Sequence, residues 1–166
     1  MNNYTRNQDL SFWDEERRHS NCGSFALNIQ EWVIPCEEEE RDYRDDMMYA
    51  YVDASDTIEE AADKLAEYDW GNILKLFPFL KPIPTYTAVG PQTEIIAYRV
   101  GLRFYEDCKE LDEDFHFRVR RNSVWYEKQG TQTPHECYDQ NIEGKWMTPN
   151  GDLEYNSRTY YAIIEN

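Results

Sequence analysis

Residues 93–128 read TEIIAYRVGLRFYEDCKELDEDFHFRVRRNSVWYEK, and this segment indicates the fold class of the chain. Its first part, 93–105, is rich in the β-branched and aromatic side chains that are typical of strands. Residues 114–121 alternate apolar side chains with histidine and arginine, which is the period of a strand with one buried face. A tight turn around Asn122 then leads into a further strand over 123–128. We therefore predict an antiparallel sheet in this half of the chain.

The regions on either side of this segment extend the prediction. Residues 158–164, RTYYAII, predict a last strand, which follows turns at Pro134 and at 149–152. Residues 78–92 hold four prolines. We expect them to form an extended connection with few hydrogen bonds.

The N-terminal half carries helical patterns instead. Phe25, Ile29 and Trp32 recur at helical spacing, so we predict a helix over 22–32. Pro35 is expected to end it, because proline restricts the residue before it to extended conformations. Ser20 or Asn21 is the expected N-cap of this helix.

A second helix is predicted over 57–68, because Asp56 and Glu59 form a capping-box pattern before an apolar stripe. A further helical stretch is expected at 70–77. The charged run at 37–46 predicts a solvated loop or a frayed helix start.

Residues 47–53, MMYAYVD, are expected to form a short strand. Since helical segments come first and strands follow, the sequence predicts the α+β class. The length favours one domain over 1–166. Within it, residues 1–20 are expected to be an irregular arm that Phe12 and Trp13 anchor.

Composition narrows the function classes. The 166 residues include 33 acidic and 17 basic side chains, which give a net charge of −16. Nucleic acid is not expected as a direct ligand, because phosphate binding needs a basic surface. No apolar run approaches a membrane span, and the N-terminus lacks the apolar core of a secretory signal. We therefore expect a cytoplasmic protein whose four cysteines are free thiols.

Cys22 is the leading candidate for chemistry because it stands at the start of the predicted first helix. A helix N-terminus favours the thiolate, which is the nucleophilic form of cysteine. Gly23 and Ser24 leave room for a substrate beside it. Asn21 or the backbone N–H of Cys22 is the expected donor to an oxyanion.

His116 is the expected general base, since it lies on the polar face of the strand over 114–121. If the next strand forms a tight hairpin, residue 127 returns beside residue 116 or 117. Glu127 can then hold the imidazole by its far nitrogen and stabilise the imidazolium. Asp114 points to the same strand face and is a candidate supporting residue.

Two blocks of sequence carry a family resemblance. The first is Asn-Cys-Gly-Ser-Phe-Ala-Leu-Asn at 21–28, and the second is Asp-Phe-His-Phe-Arg at 114–118 followed by Trp-Tyr-Glu-Lys-Gln-Gly at 125–130. Together they resemble a group of bacterial and phage proteins that look like papain-like cysteine peptidases of the NlpC type. In that pattern two histidines lie on neighbouring strands. The first corresponds to His116, whereas Glu127 replaces the second.

The resemblance implies a papain-like core in which the helix that carries Cys22 packs on an antiparallel sheet. It also implies a cysteine peptidase or amidase that acts on an amide bond and needs no cofactor. A peptide or protein is the expected substrate, and isopeptide, cell-wall and small-molecule amides are alternatives. If the protein is phage-encoded, its expected location is the host cytoplasm. The replacement of a histidine by Glu127 is chemically acceptable, because a carboxylate orients an imidazole well.

Two alternatives involve other histidines. His135 competes with His116 as the base, but it is predicted to lie in a loop, where an imidazole is held less firmly. A structural zinc site is the chemical alternative, because His19, Cys22, His135 and Cys137 supply two imidazoles and two thiols. The catalytic prediction requires no metal.

A non-enzymatic alternative follows from the charge. Acidic clusters at 37–46 and 106–114 are typical of a small acidic interaction protein, such as a phage-type inhibitor of a host factor or a DNA mimic. In that case the expected partner is a basic host protein, and Cys22 has no catalytic role.

Overall fold

The computed structural model describes residues 12–13 and 19–165 of the chain. Helices come first and an antiparallel sheet follows, which confirms the predicted α+β class. The helices with described ends are α1 (Cys22–Leu27), α2 (Arg41–Ala54) and α3 (Ile58–Leu76). The strands are β1 (Leu80–Ile83), β2 (Ile95–Tyr105), β3 (Glu110–Arg121), β4 (Val124–Glu127), β5 (His135–Glu136) and β6 (Tyr160–Ile164). Short 3-10 turns lie at Glu38–Glu40 and Tyr86–Ala88.

The described strands form one sheet in the order β1-β6-β2-β3-β4-β5, and each neighbouring pair is antiparallel. Strands β2 and β3 form its centre, and every residue of β2 pairs with β3. The connection predicted over 78–92 is partly a strand, because β1 pairs with β6. Pro82 is tolerated there since β1 is an edge strand, where a missing N–H costs no ladder bond.

The turn between β3 and β4 sets the register that matters for the site. Asn122 and Ser123 both have positive φ, at 50° and 71°. Two such residues make a two-residue turn whose twist matches that of the flanking strands. Arg118 therefore lies directly opposite Glu127. Residue 127 was expected to return beside residue 116 or 117, and the register places it opposite residue 118 instead.

Helix α1 is shorter than predicted. Asn28 adopts the left-handed conformation, with φ of 61°, and ends the helix after Leu27. Asparagine reaches this conformation more readily than most residues, so the helix stops well before Pro35. The predicted helix over 22–32 is therefore wrong beyond Leu27, and Trp32 is 53% exposed.

The predicted strand over 47–53 lies inside α2 instead. The two buried residues of this helix, Arg44 and Met48, are four positions apart, which is helical spacing. Arg44 donates to Asp69 of α3 at 2.8 and 2.7 Å, and to Glu113 of β3 at 3.1 Å. These contacts fix α2 as a helix against its neighbours.

Helix α3 joins two segments that were predicted separately. It runs without interruption through both 57–68 and 70–77 as far as Leu76. Its N-cap is Thr57, whose side chain accepts from the Glu60 N–H. The predicted cap at Asp56 is therefore displaced by one residue. A buried stripe along α3 packs against β2.

The described helices cover one face of the sheet. Their shared core includes Trp13, which is fully buried and meets Phe25 edge-to-face at 5.8 Å. Phe12 and Trp13 are helical, and the rest of the predicted arm before His19 lies outside the described residues. The other face carries a second core around Trp125 and Trp146. No helix in the described residues combines the length and apolarity needed to cross a bilayer.

Candidate active site

The candidate residues lie around the point where β4 ends. In the described ladder β4 pairs with β3 only from Arg118 to Arg121, so the earlier part of β3 has an open edge on that side. The start of α1 packs against this edge. The Cys22 sulfur lies 4.0 Å from the carbonyl oxygen of Phe115.

The N-cap of α1 is built by Asn21. Its side-chain oxygen accepts from the N–H of Ser24 at 3.1 Å, and the Ser24 hydroxyl accepts from the N–H of Asn21 in return. The Asn21 amide nitrogen donates to the Val33 carbonyl at 2.6 Å. These bonds occupy the side chain that was expected to support an oxyanion, and give it a structural role.

Burial controls the protonation of Cys22. The side chain is 5% exposed, and desolvation raises the pKa of the thiol to about 12. Backbone N–H groups of Phe117 and Gly23 and the charge of Lys128 favour the thiolate, but less strongly than burial opposes it. The helix-start argument predicted a lowered pKa. At the start of α1 burial outweighs any such effect, so the pKa is raised.

His116 and Glu127 form the closest pair of the site. His116 Nε2 lies 2.8 Å from Glu127 Oε1, and the two residues are 2% and 4% exposed. Glu127 pairs with Arg118 in the ladder. Arg118 and His116 are two positions apart on β3, so their side chains share a face of the sheet with that of Glu127. The carboxylate therefore reaches His116 diagonally. Through this route the structure brings together the imidazole and carboxylate that the sequence selected.

Glu127 also contacts Arg118 and His135. The Nε of Arg118 donates to Oε1 at 3.1 Å, and His135 Nε2 lies 3.5 Å from Oε2. Burial alone raises the pKa of Glu127, but the hydrogen bonds and charges of His116 and Arg118 outweigh it and lower the pKa to about 2. The carboxylate is therefore ionised throughout the physiological range.

His135 does not lie in a loop as predicted. It forms the two-residue strand β5 and stands opposite Glu127 in the ladder. The two candidate bases, His116 and His135, thus both face the Glu127 carboxylate.

Tyr155 is a member of the site that sequence reasoning missed. Its ring stacks on His116 at 5.1 Å, and its hydroxyl donates to Asp114 at 2.7 Å. Asp114 thus supports Tyr155, and its negative charge raises the pKa of Cys22. No local motif marks Tyr155, because it comes from an irregular segment between distant strands.

Lys128 is a second residue that the sequence did not single out. It is fully buried and directly follows β4. Its ammonium donates to the carbonyl of Ser20 at 2.7 Å and to that of Gly130. Desolvation lowers the pKa of Lys128 to about 8, and the nearby Cys22 opposes that shift. Lys128 thereby ties the segment before α1 to the loop after β4.

Cys22 and His116 lie close to the same edge but are not bonded. Within residues 12–13 and 19–165, no hydrogen bond joins the sulfur to the imidazole, and Phe115 is the hydrogen-bond acceptor of the thiol. The imidazole packs with Tyr155 and Trp146, whereas α1 packs on the side of Phe117. Since Glu127 occupies Nε2, Nδ1 is the nitrogen left to accept a proton from a thiol.

The described part of the chain contains no group of three or more histidine, cysteine or acidic side chains that is arranged to hold a metal. The predicted zinc ligands His19, Cys22, His135 and Cys137 all fall within that part, and they do not converge.

A groove of about 970 Å³ opens on the face of the sheet that carries Glu127. We call it the Glu127 groove. Arg118, Glu127 and His135 belong to its lining, and the loops over 129–133 and 138–149 contribute the rest.

No protein-family model matches the chain, and comparisons with curated proteins and with solved structures find no significant match. The resemblance to NlpC-type peptidases, with the papain-like core that it implies, therefore stays a prediction from the two sequence blocks. The α+β class rests on the structure itself.

Proposed function

We propose that the protein is a cysteine peptidase or amidase of papain-like type in which Cys22, His116 and Glu127 act together. The observation that carries the proposal is the buried hydrogen bond between His116 and Glu127 at 2.8 Å. It lies where β4 ends, beside the strand edge that holds the Cys22 sulfur. An imidazole fixed by an ionised carboxylate is the base that a thiol nucleophile requires.

The proposed reaction starts from a protonated thiol. As a substrate amide enters, His116 Nδ1 takes the thiol proton and the sulfur attacks the carbonyl carbon. The backbone N–H of Cys22 makes no hydrogen bond within the described residues, and it donates to the oxyanion. His116 then protonates the leaving amine, and water hydrolyses the thioester to restore the thiol.

Glu127 orients His116 and stabilises the imidazolium in each transfer. Because the pKa of Glu127 is about 2, it remains an anion while the imidazole gains and loses its proton. Burial of Cys22 protects the thiol until a substrate displaces the groups that cover it.

The test uses a tryptic digest of a bacterial lysate as the peptide substrate mixture, with cleavage products identified by mass spectrometry. We expect Cys22→Ala to abolish cleavage, and His116→Ala to reduce it by about a hundredfold or more. Cys108→Ser is the matched control, because Cys108 is an exposed thiol remote from the site. Cleavage that persists in Cys22→Ala, or its absence from the natural chain, would overturn the proposal.

A second candidate function is supported by the surface of α2. Between Glu37 and Ala54 the exposed side chains are mainly acidic, and Tyr43 and Tyr49 are 56% and 44% exposed. The buried, protonated thiol is also what a non-catalytic cysteine would show. As the alternative to the hydrolase, we infer that the chain is a small acidic interaction protein that binds a basic host protein.

A pull-down from a bacterial lysate, with the protein as bait, tests this alternative. If the alternative holds, replacing Glu38, Glu39 and Glu40 together by lysine removes the captured protein, whereas Cys22→Ala leaves capture unchanged. The three side chains are exposed, so this charge reversal is not expected to disturb the fold. Capture that is insensitive to the reversal contradicts the alternative.

A further inference from the structure

Arg118 is an unusual member of the Glu127 groove. It is only 6% exposed, and its guanidinium carbon lies 4.5 Å from the centre of the Trp146 ring. Its Nε donates to Glu127 at 3.1 Å. Within the described residues its two terminal nitrogens have no hydrogen-bond partner, although the side chain lines the groove.

Two other buried arginines use both terminal nitrogens, whereas Arg121 also leaves one terminal nitrogen unpaired. Arg44 uses both terminal nitrogens on Asp69 and Glu113. Arg99 donates with both to the carbonyls of Gly144 and Ile142. The unpaired nitrogens of Arg118 are not among the fully buried unpartnered atoms of the described residues, so they are open to the groove and suited to a ligand that enters it.

The chemistry of the groove selects the ligand class. A guanidinium fork matches the two oxygens of a carboxylate. Lys145 adds one positive charge to the lining, while Glu127 and Asp139 add two negative charges. With Arg118 included, the formal charges of these side chains cancel, which suits a singly charged anion better than a phosphate dianion.

The other lining groups suit a peptide attached to that carboxylate. Gln129 and Gln132 offer amide donors and acceptors, and Thr131 and Thr148 offer hydroxyls. Tyr138 is 97% exposed at the groove and offers an apolar surface to a side chain.

We infer that the Glu127 groove binds the free carboxylate of a peptide, with Arg118 as its receptor. The substrate class then follows, and this step rests on the proposed hydrolase: an amide bond in a peptide that ends in a free carboxylate. Because Arg118 also donates to Glu127, the ligand and the carboxylate that orients His116 share one guanidinium.

The experiment titrates two probes that differ only in the C-terminal group, N-acetyl-alanyl-alanine with its carboxylate and the corresponding neutral amide, into the full chain by calorimetry. The Cys22→Ala variant is used so that no probe is consumed. We expect the acid to bind about tenfold more tightly than the amide, since a hydrogen bond to a charged group is worth that much. Arg118→Gln is expected to abolish the preference.

Arg103→Gln is the matched control, because it removes the same charge at an exposed position outside the groove. Arg118→Lys provides a second variant that keeps the charge beside Glu127 but loses the fork, and it is expected to lose most of the preference. Equal binding of acid and amide, binding of neither probe, or the same loss in Arg103→Gln as in Arg118→Gln would overturn the inference.

The outcomes also separate this inference from the proposed function. A preference for the acid without any cleavage of the peptide mixture supports the groove and refutes the hydrolase. Cleavage that depends on Cys22, together with equal binding of acid and amide, supports the hydrolase and refutes carboxylate recognition.

Discussion

At the scale of single residues, Glu127 is the electrostatic centre of the site. One carboxylate oxygen lies within hydrogen-bond distance of both His116 and Arg118, and the other faces His135. A buried charge is stable only when it is paired and hydrogen-bonded, and Glu127 meets both conditions. The same contacts that suit it to orient a base also link the site to the stability of the fold.

This linkage predicts a pH-dependent contribution to stability. The pKa of Glu127 is lowered to about 2 from its usual 4.5, so the folded state favours the anion. Its stabilisation is present above pH 4.5 and is lost as the pH falls towards 2. We expect Glu127→Gln to lower the free energy of unfolding by about 3 kcal/mol at neutral pH, and by less as the pH falls through this range.

Urea denaturation of the natural chain and the variant across this pH range measures the difference. Glu136→Gln is the control, because Glu136 is the exposed neighbour of His135 in β5. If the free energy of unfolding differs between the natural chain and Glu127→Gln by the same amount at every pH, this account of Glu127 is contradicted.

At the scale of elements, the position of α2 depends on very few buried residues. Arg44 and Met48 are the buried residues of this helix. The Arg44 guanidinium bridges Asp69 of α3 and Glu113 of β3. Desolvation opposes the charge of Arg44, but the hydrogen bond and charge of Asp69 outweigh it and raise the pKa of the guanidinium. This ionic contact joins three elements.

Removing Arg44 is therefore expected to be costly. Arg44→Met leaves two carboxylates without their partner, and we expect a loss of about 3–5 kcal/mol in the free energy of unfolding. Arg41→Met provides the comparison on the same helix, because the Arg41–Glu38 pair is exposed and contributes little. Similar unfolding midpoints in urea for the two variants would show that the bridge does not hold α2 in place.

At the scale of the whole molecule, the sequence predicted the features that depend on local patterns. Alternation over 114–121 correctly indicated β3, and the turn at Asn122 correctly indicated the hairpin that joins His116 to Glu127. The strand predicted over 47–53 failed because MMYAYVD has strand-forming residues, while the contacts of Arg44 impose a helix. Tertiary contacts override local propensity in such cases.

Local sequence patterns also did not predict how deeply the site residues are buried. The position of Cys22 at a helix start was correct, but its raised pKa comes from desolvation by residues far away in sequence. Lys128 and Tyr155 belong to the site for the same reason. Each reaches it through packing between distant segments, and no spacing in the sequence marks such contacts.

The turn at Asn122 and Ser123 has a consequence for how the site assembles during folding. His116 and Glu127 are 11 residues apart along the chain, so closing one short hairpin brings them together. Cys22 and Phe115 are 93 residues apart, and their contact requires closure of a much longer loop. Local contacts form faster than distant ones, so the imidazole–carboxylate pair is expected to form early and the sulfur to arrive late. Cys22 is therefore expected to reach His116 and Glu127 only when folding is almost complete.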